Sequence, residues 1–217
     1  MEFRDRTAAR AEAGPKPGVG RAAWVGYAPS MSTPEPTPVD SSAATASPAA
    51  SPEPVDTPAL RALAASGLAF TVVRTVKARN PEESAALQGI PLGSLLRTIV
   101  VRRGADDYVF VLVQAGRRFD WPKLRSHLGV SRLSLPDQDE AKVVTGYERG
   151  AITPFGASRA WPVVADAAIL SIDRVAIGGG AWGVNVHLAP ADLVAGLAAG
   201  VADVTVAGVT TPAEPGA

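Results

Sequence analysis

Cysteine is absent from this 217-residue chain. That excludes disulfides and thiolate metal sites, and it fits a reducing compartment. Histidine is nearly absent: His127 and His187 are the two in the sequence, too few for a His-rich metal cluster, so no metal is expected. Net charge is also missing, with 21 Lys and Arg against 21 Asp and Glu. A strongly basic nucleic-acid binder is thereby disfavoured, although a pocket that touches few phosphates at a nucleic-acid end remains open. No apolar run approaches the roughly 20 residues of a membrane-spanning helix. The arginines near the N-terminus are not followed by an apolar segment, so neither a membrane anchor nor a secretory signal is expected, and the reading is cytoplasmic. Present instead is a hydrophobic fraction of 47%, enough for a substantial core.

That hydrophobic content is unevenly spread. Residues 1–56 are rich in Pro, Ser, Thr and Ala ("MSTPEPTPVDSSAATASPAASPEPVDTP") and hold almost no large apolar residue. Such a segment buries too little surface to offset its ordering entropy, and it is expected to be a disordered tail. The folded domain is expected over residues 57–206, followed by a flexible Pro/Gly/Ala end at 207–217. Within the domain, "TPALRALAASG" and "NPEESAALQG" each carry a cap residue, then Pro, then a closing Gly, so both are helices. "FDWPKLRSHLG", "PDQDEAKVVTG" and "APADLVAGLAAG" are three more. "AFTVVRTV", "WPVVAD", "RVAIG", "WGVNVHL" and "ADVTVA" read as strands, and "LLRTIVVRRGADDYVFVLVQAG" as a hairpin around Gly-Ala-Asp-Asp. Irregular alternation of strands and short helices predicts an α+β class: one compact domain with a mixed, curved β-sheet flanked by short helices.

Four features stand out as site candidates. In "LLRTIVV", period two puts Arg97 on the face of Ile99 and Val101. It either snorkels to water at the strand mouth or contacts a ligand phosphate or carbonyl; the spacing favours the former. In "GVNVHL", Asn185 and His187 share a face. They are site residues if that face points inward, and a solvated strand side otherwise. "AIGGGAWG", with Gly179 at its centre, is a hairpin turn that a ligand can approach closely; it lacks a P-loop ending. "GYERGAITPFG" places Gly150 and Pro154 four apart, then Gly156. A loop of this kind is usually a turn, but it can offer backbone N–H groups to a developing oxyanion. Arg102, Arg103, Arg117, Arg118, Lys123 and Arg125 gather around the hairpin and the next helix, as surface charge or as contacts to an RNA backbone.

In this order the segments resemble one family, the YbaK / prolyl-tRNA-synthetase-associated editing domains, which are aminoacyl-tRNA deacylases. The likeness runs from about Thr57 to Val206. It rests on "PEESAALQGIPLGSL" before "LLRTIVV", then "FDWPKLRSHLGVSRLSL", "TGYERGAITPFG" and "GGGAWGVNVHLAPADLV". The resemblance implies hydrolysis of the ester of a mischarged tRNA, with a small amino acid such as Ala or Cys on tRNA-Pro. It implies no cofactor, the aminoacyl-tRNA 3′ end as partner, and an aminoacyl-tRNA synthetase as a further partner. By the same resemblance Arg97, at the family's usual lysine position, and Gly150 are catalytic. Thr98, Ala151, Ile152, Thr153, Pro154, Gly179 and Asn185 contact substrate, and Asn185 stands where the family often has an acid. The alternative is a module detuned at Arg97 and Asn185 that holds an aminoacyl-adenosine-like ligand, or one that acts only in a synthetase complex.

Overall fold

The computed structural model describes residues 55–208. Apart from the two residues at each inner end, the tails expected over 1–56 and 207–217 lie outside the described residues. The first element, α1 (Pro58–Ser66), starts where Thr57 accepts a hydrogen bond from Leu60 N (3.1 Å), and it stops at Gly67 in the left-handed region. Strand β1 (Phe70–Arg74) follows, then α2 (Pro81–Leu87), capped by Asn80 and carrying Glu82 and Glu83 in its first turn. Acids there suit the positive end of the helix dipole. A short 3₁₀ turn leads into β2 (Leu96–Gly104), which pairs antiparallel with β3 (Asp107–Gln114) across the expected turn.

The remaining elements are β4 (Arg117–Phe119), α3 (Trp121–Leu128), α4 (Gln138–Thr145), β5 (Val163–Asp166), β6 (Val175–Gly178), β7 (Val184–Leu188), α5 (Pro190–Gly196), β8 (Gly200–Ala202) and β9 (Thr205–Ala207). One sheet runs β2-β3-β5-β8, with parallel pairing of β3 to β5 and of β5 to β8. A second runs β1-β7-β6, and β4 pairs with β9. A parallel bridge from Leu95 to Ala176 joins the first two sheets into one curved surface. The α+β class with a mixed, curved sheet and short helices is therefore as expected.

The core follows from the alternation of β3, whose Tyr108 to Val113 are all buried. Tyr108, Phe110 and Leu112 point into one cluster, with Leu63 of α1, Ile177, Val186 and Leu193. Val109, Val111 and Val113 point into the other, with Val101, Leu124 of α3 and Val204. A strand covered on both faces reads in sequence as one apolar run, because neither face is left to be polar.

One segment departs from its sequence reading. "ADVTVA" holds β9 and only the last residue of β8, a separate strand that begins at Gly200, the residue expected to close the preceding helix. Between them Val204 N donates to the buried Asp166 carboxylate (3.0 Å), and Val204 O accepts from Asp120 N (2.9 Å). The side chain of Asp166 thus takes a backbone donor that a continuous ladder would have used, and the chain passes from β5 to β4. Strand β4 carries no signal in the sequence, since Arg-Arg-Phe is too short and too charged to mark a strand.

Candidate functional site

Side-chain alternation brings the polar candidates to one face. Leu95 and Ala176 are bridged and share a small cluster with Ala85 and Ala115. Two residues further on, Arg97 and Gly178 therefore come level on that same face. Gly178 pairs with Asn185, and Ala176 with His187; beyond them lie Val73 and Thr71 of β1. Arg97, Gly178, Asn185 and His187 thus share one side of the curved sheet. Val186 and Leu188 of β7 turn to the main core, and Asn185 and His187 lie on the other face, which is covered rather than fully solvated: Asn185 is half-buried and His187 is 8% exposed. Thr98 projects from the opposite side of β2, where Leu96 and Val100 enter the main core.

Arg97 does not simply reach for water. Its Nη2 donates to the Arg117 carbonyl at 2.8 Å, while its buried Nε has no acceptor. A buried donor without an acceptor costs about 1–3 kcal/mol, so this N–H is a candidate contact for a ligand oxygen. Asn185 Nδ2 faces Val73 O at 3.4 Å and Thr75 Oγ1 at 3.3 Å. An aspartate at that position has no proton for the Val73 carbonyl when ionised, so the amide turns this contact from repulsive to favourable.

His187 Nε2 lies 2.8 Å from Gln88 Oε1. The Gln88 amide nitrogen donates to Ser84 O and Oγ, which turns its oxygen toward the ring, so Nε2 carries the proton. Burial, then the nearby Arg174 charge, pushes the His187 pKa below its ordinary value of 6.5. The unfolded chain therefore takes up this proton first as pH falls. The stability that neutral His187 contributes is complete above pH ~6.5 and drains as pH falls from there through the depressed folded value. Thermal unfolding between pH 7 and 5 should show a steeper loss for the wild type than for His187→Gln; parallel curves would refute the assignment.

The loop "GYERGAITPFG" closes over the end of this face. A Cβ on Gly178 would sit 3.3 Å from Ile152 O and 3.5 Å from Ala151 O, so the loop backbone passes directly over the strand end. Gly150 has φ +90°, and a Cβ there would meet the Trp182 ring at 2.5 Å. Trp182 covers Gly150 and itself carries Lys77 Nζ 3.9 Å from its ring centroid. Ala151 N donates to Glu148 O (2.9 Å), so this amide is engaged locally. The N–H groups of Ile152 and Thr153 donate to no protein group among the described residues. Thr153 is fully buried and its hydroxyl, like that of Thr98, has no protein partner. Pro154 is half-buried behind them and fixes the turn.

The start of α1 holds the loop and the glycine turn together. Thr57 Oγ1 donates to Gly179 O at 2.6 Å. Tyr147 OH donates to Phe155 O at 2.7 Å, and its ring lies against Gly180. Gly156 has φ +63° and passes so close to Pro58 that an added Cβ would lie 2.3 Å from the Pro58 carbonyl oxygen. No group of three or more His, Cys, Asp or Glu suited to a metal occurs among the described residues. No described helix is long and apolar enough to cross a membrane.

Residues 75–195, more than half of the chain, match the family of aminoacyl-tRNA editing domains. The chain belongs to that family. It is 29% identical over 134 residues to the multifunctional Ser/Thr-tRNA deacylase ProXp-y of Escherichia coli strain K12, covering 60% of this chain and 80% of that protein. It is 28% identical over 110 residues to a proline–tRNA ligase of Trichlorobacter lovleyi, covering 51% of this chain and 19% of the ligase. This editing domain thus spans about a fifth of the length of that ligase. Among solved structures, a candidate trans-editing enzyme for prolyl tRNA synthetase superposes with TM-score 0.64 at 26% identity, covering 70% of this chain and 99% of that one. The hypothetical protein APE2540 superposes with TM-score 0.65 at 25% identity, covering 69% and 100%. The editing domain's matched segment includes Arg97, the 150–156 loop and Asn185, so the face and loop just described lie inside the family region.

Proposed function

We propose that this editing domain is an aminoacyl-tRNA deacylase acting in trans, hydrolysing the ester of a tRNA charged with a wrong small amino acid, such as Ala or Cys on tRNA-Pro. What supports the reading is that Arg97, whose Nε meets no protein acceptor, lies on the same sheet face as Gly178, over which the backbone of Ala151 and Ile152 passes. An aminoacyl ester is already activated, so no side-chain nucleophile is required. Water adds to the carbonyl carbon, and the oxyanion that forms is met by fixed N–H donors. The ester C–O bond then breaks, the ribose oxygen takes a proton, and the free amino acid leaves. In this reading Arg97 holds a phosphate or ester oxygen, since a guanidinium keeps its charge at any working pH. Gly150 lets Trp182 pack directly on the loop, and Ala151, Pro154 and Gly179 shape the site around it, while Thr98 backs the strand that carries Arg97 from its opposite side. Asn185, its amide nitrogen turned to Val73 O and Thr75 Oγ1, contributes a neutral amide oxygen beside the site. Acting only beside a synthetase is the competing case, and co-purification with one would favour it.

The test is a deacylation panel of tRNA-Pro charged with Ala, Cys, Ser, Thr and Pro, incubated with wild-type protein and with Gly150→Ala. The wild type should clear at least one wrong amino acid and spare prolyl-tRNA. The added methyl would displace Trp182, and Gly150→Ala should lose at least tenfold in rate, about 1.4 kcal/mol of barrier. Survival of every charged tRNA in the presence of folded wild-type protein would sink the proposal. Tight retention of a non-hydrolysable aminoacyl-adenosine in that case would establish the detuned binding module instead.

A further inference from the structure

The outer edge of β2 pairs at its start with β6 through Leu95–Ala176, and near its end with the segment at Ser134 through Arg102. Between these two bridges it meets no strand among the described residues, and the fork opens as a cleft of about 550 Å³. Its walls are Arg97, Arg117, Arg118, Ile99, Phe119 and Trp121, and Leu135 stands at its rim, 53% exposed. Three guanidinium groups and two aromatic rings therefore line one opening, with no carboxylate among the lining residues. The acids at this end of the fold are engaged elsewhere. Asp120 caps α3, Asp203 pairs with Lys123 at 2.7 Å, and Asp166 accepts from Val204 N and Ala168 N. Asp166 also lies 3.8 Å from Arg117 Nε, which donates to Thr205 Oγ1, so Arg117 is partly neutralised. Arg97 and Arg118 have no carboxylate partner among the described residues.

We infer that this cleft holds the single-stranded nucleotides that precede the esterified terminal adenosine of a tRNA. The inference rests on the editing reading for the identity of the RNA, and it assigns that RNA a path away from Arg97. The chemistry is the pairing that unpaired nucleic acid selects: guanidinium groups for phosphates, and flat rings on which bases stack without regard to sequence. The Phe119 and Trp121 rings lie 5.2 Å apart at 60°; both pack in part against the Val111–Leu124 cluster and both line the cleft, where a base would stack on the part of the rings that the core leaves uncovered. The chain's net charge of zero makes the site local: a few phosphates are met at one cleft rather than across a basic surface.

The experiment measures binding of an unacylated, labelled single-stranded ACCA tetranucleotide by anisotropy over a salt series, with Trp quenching as a second signal. Arg118→Ser should weaken binding and reduce the slope of log K against log salt by about 0.7, the share of one phosphate on a single strand. Trp121→Ala should weaken binding at least about fivefold, the lower end of the loss of one stacked base. Trp121→Phe keeps a stacking face, so it should bind within about threefold of wild type on that same scale while losing the quenching; it serves if the alanine variant does not fold. Wild-type affinity and salt slope in Arg118→Ser and in the Trp121 variants would overturn the inference, as would equal capture of an oligoglutamate peptide. Because the probe carries no ester, a wild type that binds it through this cleft but deacylates nothing sinks the editing reading alone. A wild type that deacylates, with variants that bind normally, sinks this inference alone.

Discussion

Under the proposed function, Arg97→Ala is expected to lower single-turnover deacylation by about 10²–10³-fold, the cost of removing one preorganised donor from developing negative charge. The size of the effect follows from the arginine's surroundings. Its Nη2 is tied to the Arg117 carbonyl at 2.8 Å, so the head group is aimed before substrate arrives. Its buried Nε has no acceptor, so part of its binding strength is unused in the free protein. Removing the side chain takes away both the charge and the aim. Fold stability should move little, since the deleted group satisfies only one part-buried carbonyl and itself carries an unsatisfied donor. Arg97→Lys separates the two contributions. It keeps the charge but loses the fork that binds the Arg117 carbonyl and a ligand together. We expect it to retain activity within about tenfold of wild type, a difference of about 1.4 kcal/mol. A lysine variant much faster than wild type would mark the arginine as a detuned site. An Arg97→Ala variant with wild-type turnover would remove Arg97 from the reaction.

Gly156→Ala destabilises the domain by about 3–5 kcal/mol, the range of severe single substitutions. Two effects add. The residue has φ +63°, which costs an L-residue about 1–2 kcal/mol. The new methyl would then stand 2.3 Å from the Pro58 carbonyl oxygen, 2.4 Å from its carbon and 2.8 Å from Ala59 N. All three are backbone atoms of the first turn of α1, and no rotamer change relieves them. Gly67→Ala is the matched control. It also has positive φ, +71°, but nothing lies within 4 Å of its added methyl, so it should cost only the strain of about 1–2 kcal/mol. For a domain of this size each kcal/mol lowers the melting temperature by roughly 2–4 °C. Gly156→Ala should thus melt about 10 °C or more below wild type, well beneath Gly67→Ala. Equal melting of the two variants would show that the loop does not rest on α1. Function is linked to the same contact, because α1 also ties the glycine turn through Thr57 Oγ1 to Gly179 O. A variant that retains its fold should lose turnover as the loop shifts relative to Gly178.

Much of this molecule is written locally in its sequence. The caps Thr57, Asn80, Asp120 and Asp137 each accept a bond from the amide three residues on. Cap grammar is legible because it depends on neighbours within one turn. The apolar run of β3 and the hairpin before it were legible for the same reason. Strand β4 and the split between β8 and β9 were not. The split depends on Asp166, 38 residues before Val204, whose carboxylate meets Val204 N, and β4 depends on its pairing with the distant β9. The candidate site divides in the same way. The loop from Gly150 to Pro154 and the odd arginine at 97 could be named from residue types and order. Spacing alone favoured an arginine at the strand mouth reaching for water, whereas the fold half-buries it and points it at the Arg117 carbonyl. Phe119, Trp121 and Leu135 gave no signal as site residues, because an aromatic residue beside a helix start reads as core; Phe119 and Trp121 do pack in part on the core, and only the fold shows that they also line the cleft.

Sequence by itself determined the class of the domain, the order and ends of most helices, and the segments that carry the family likeness. Those properties follow from capping, alternation and glycine placement, which act over a few residues. Only the tertiary structure decided which face of β7 turns inward. It also decided that Arg97 comes level with Gly178, that Trp182 covers Gly150, and that β2 forks to open a cationic, aromatic cleft. These outcomes depend on register between strands distant in the chain. A shift of one residue would send every side chain to the opposite face, and no local pattern encodes that choice.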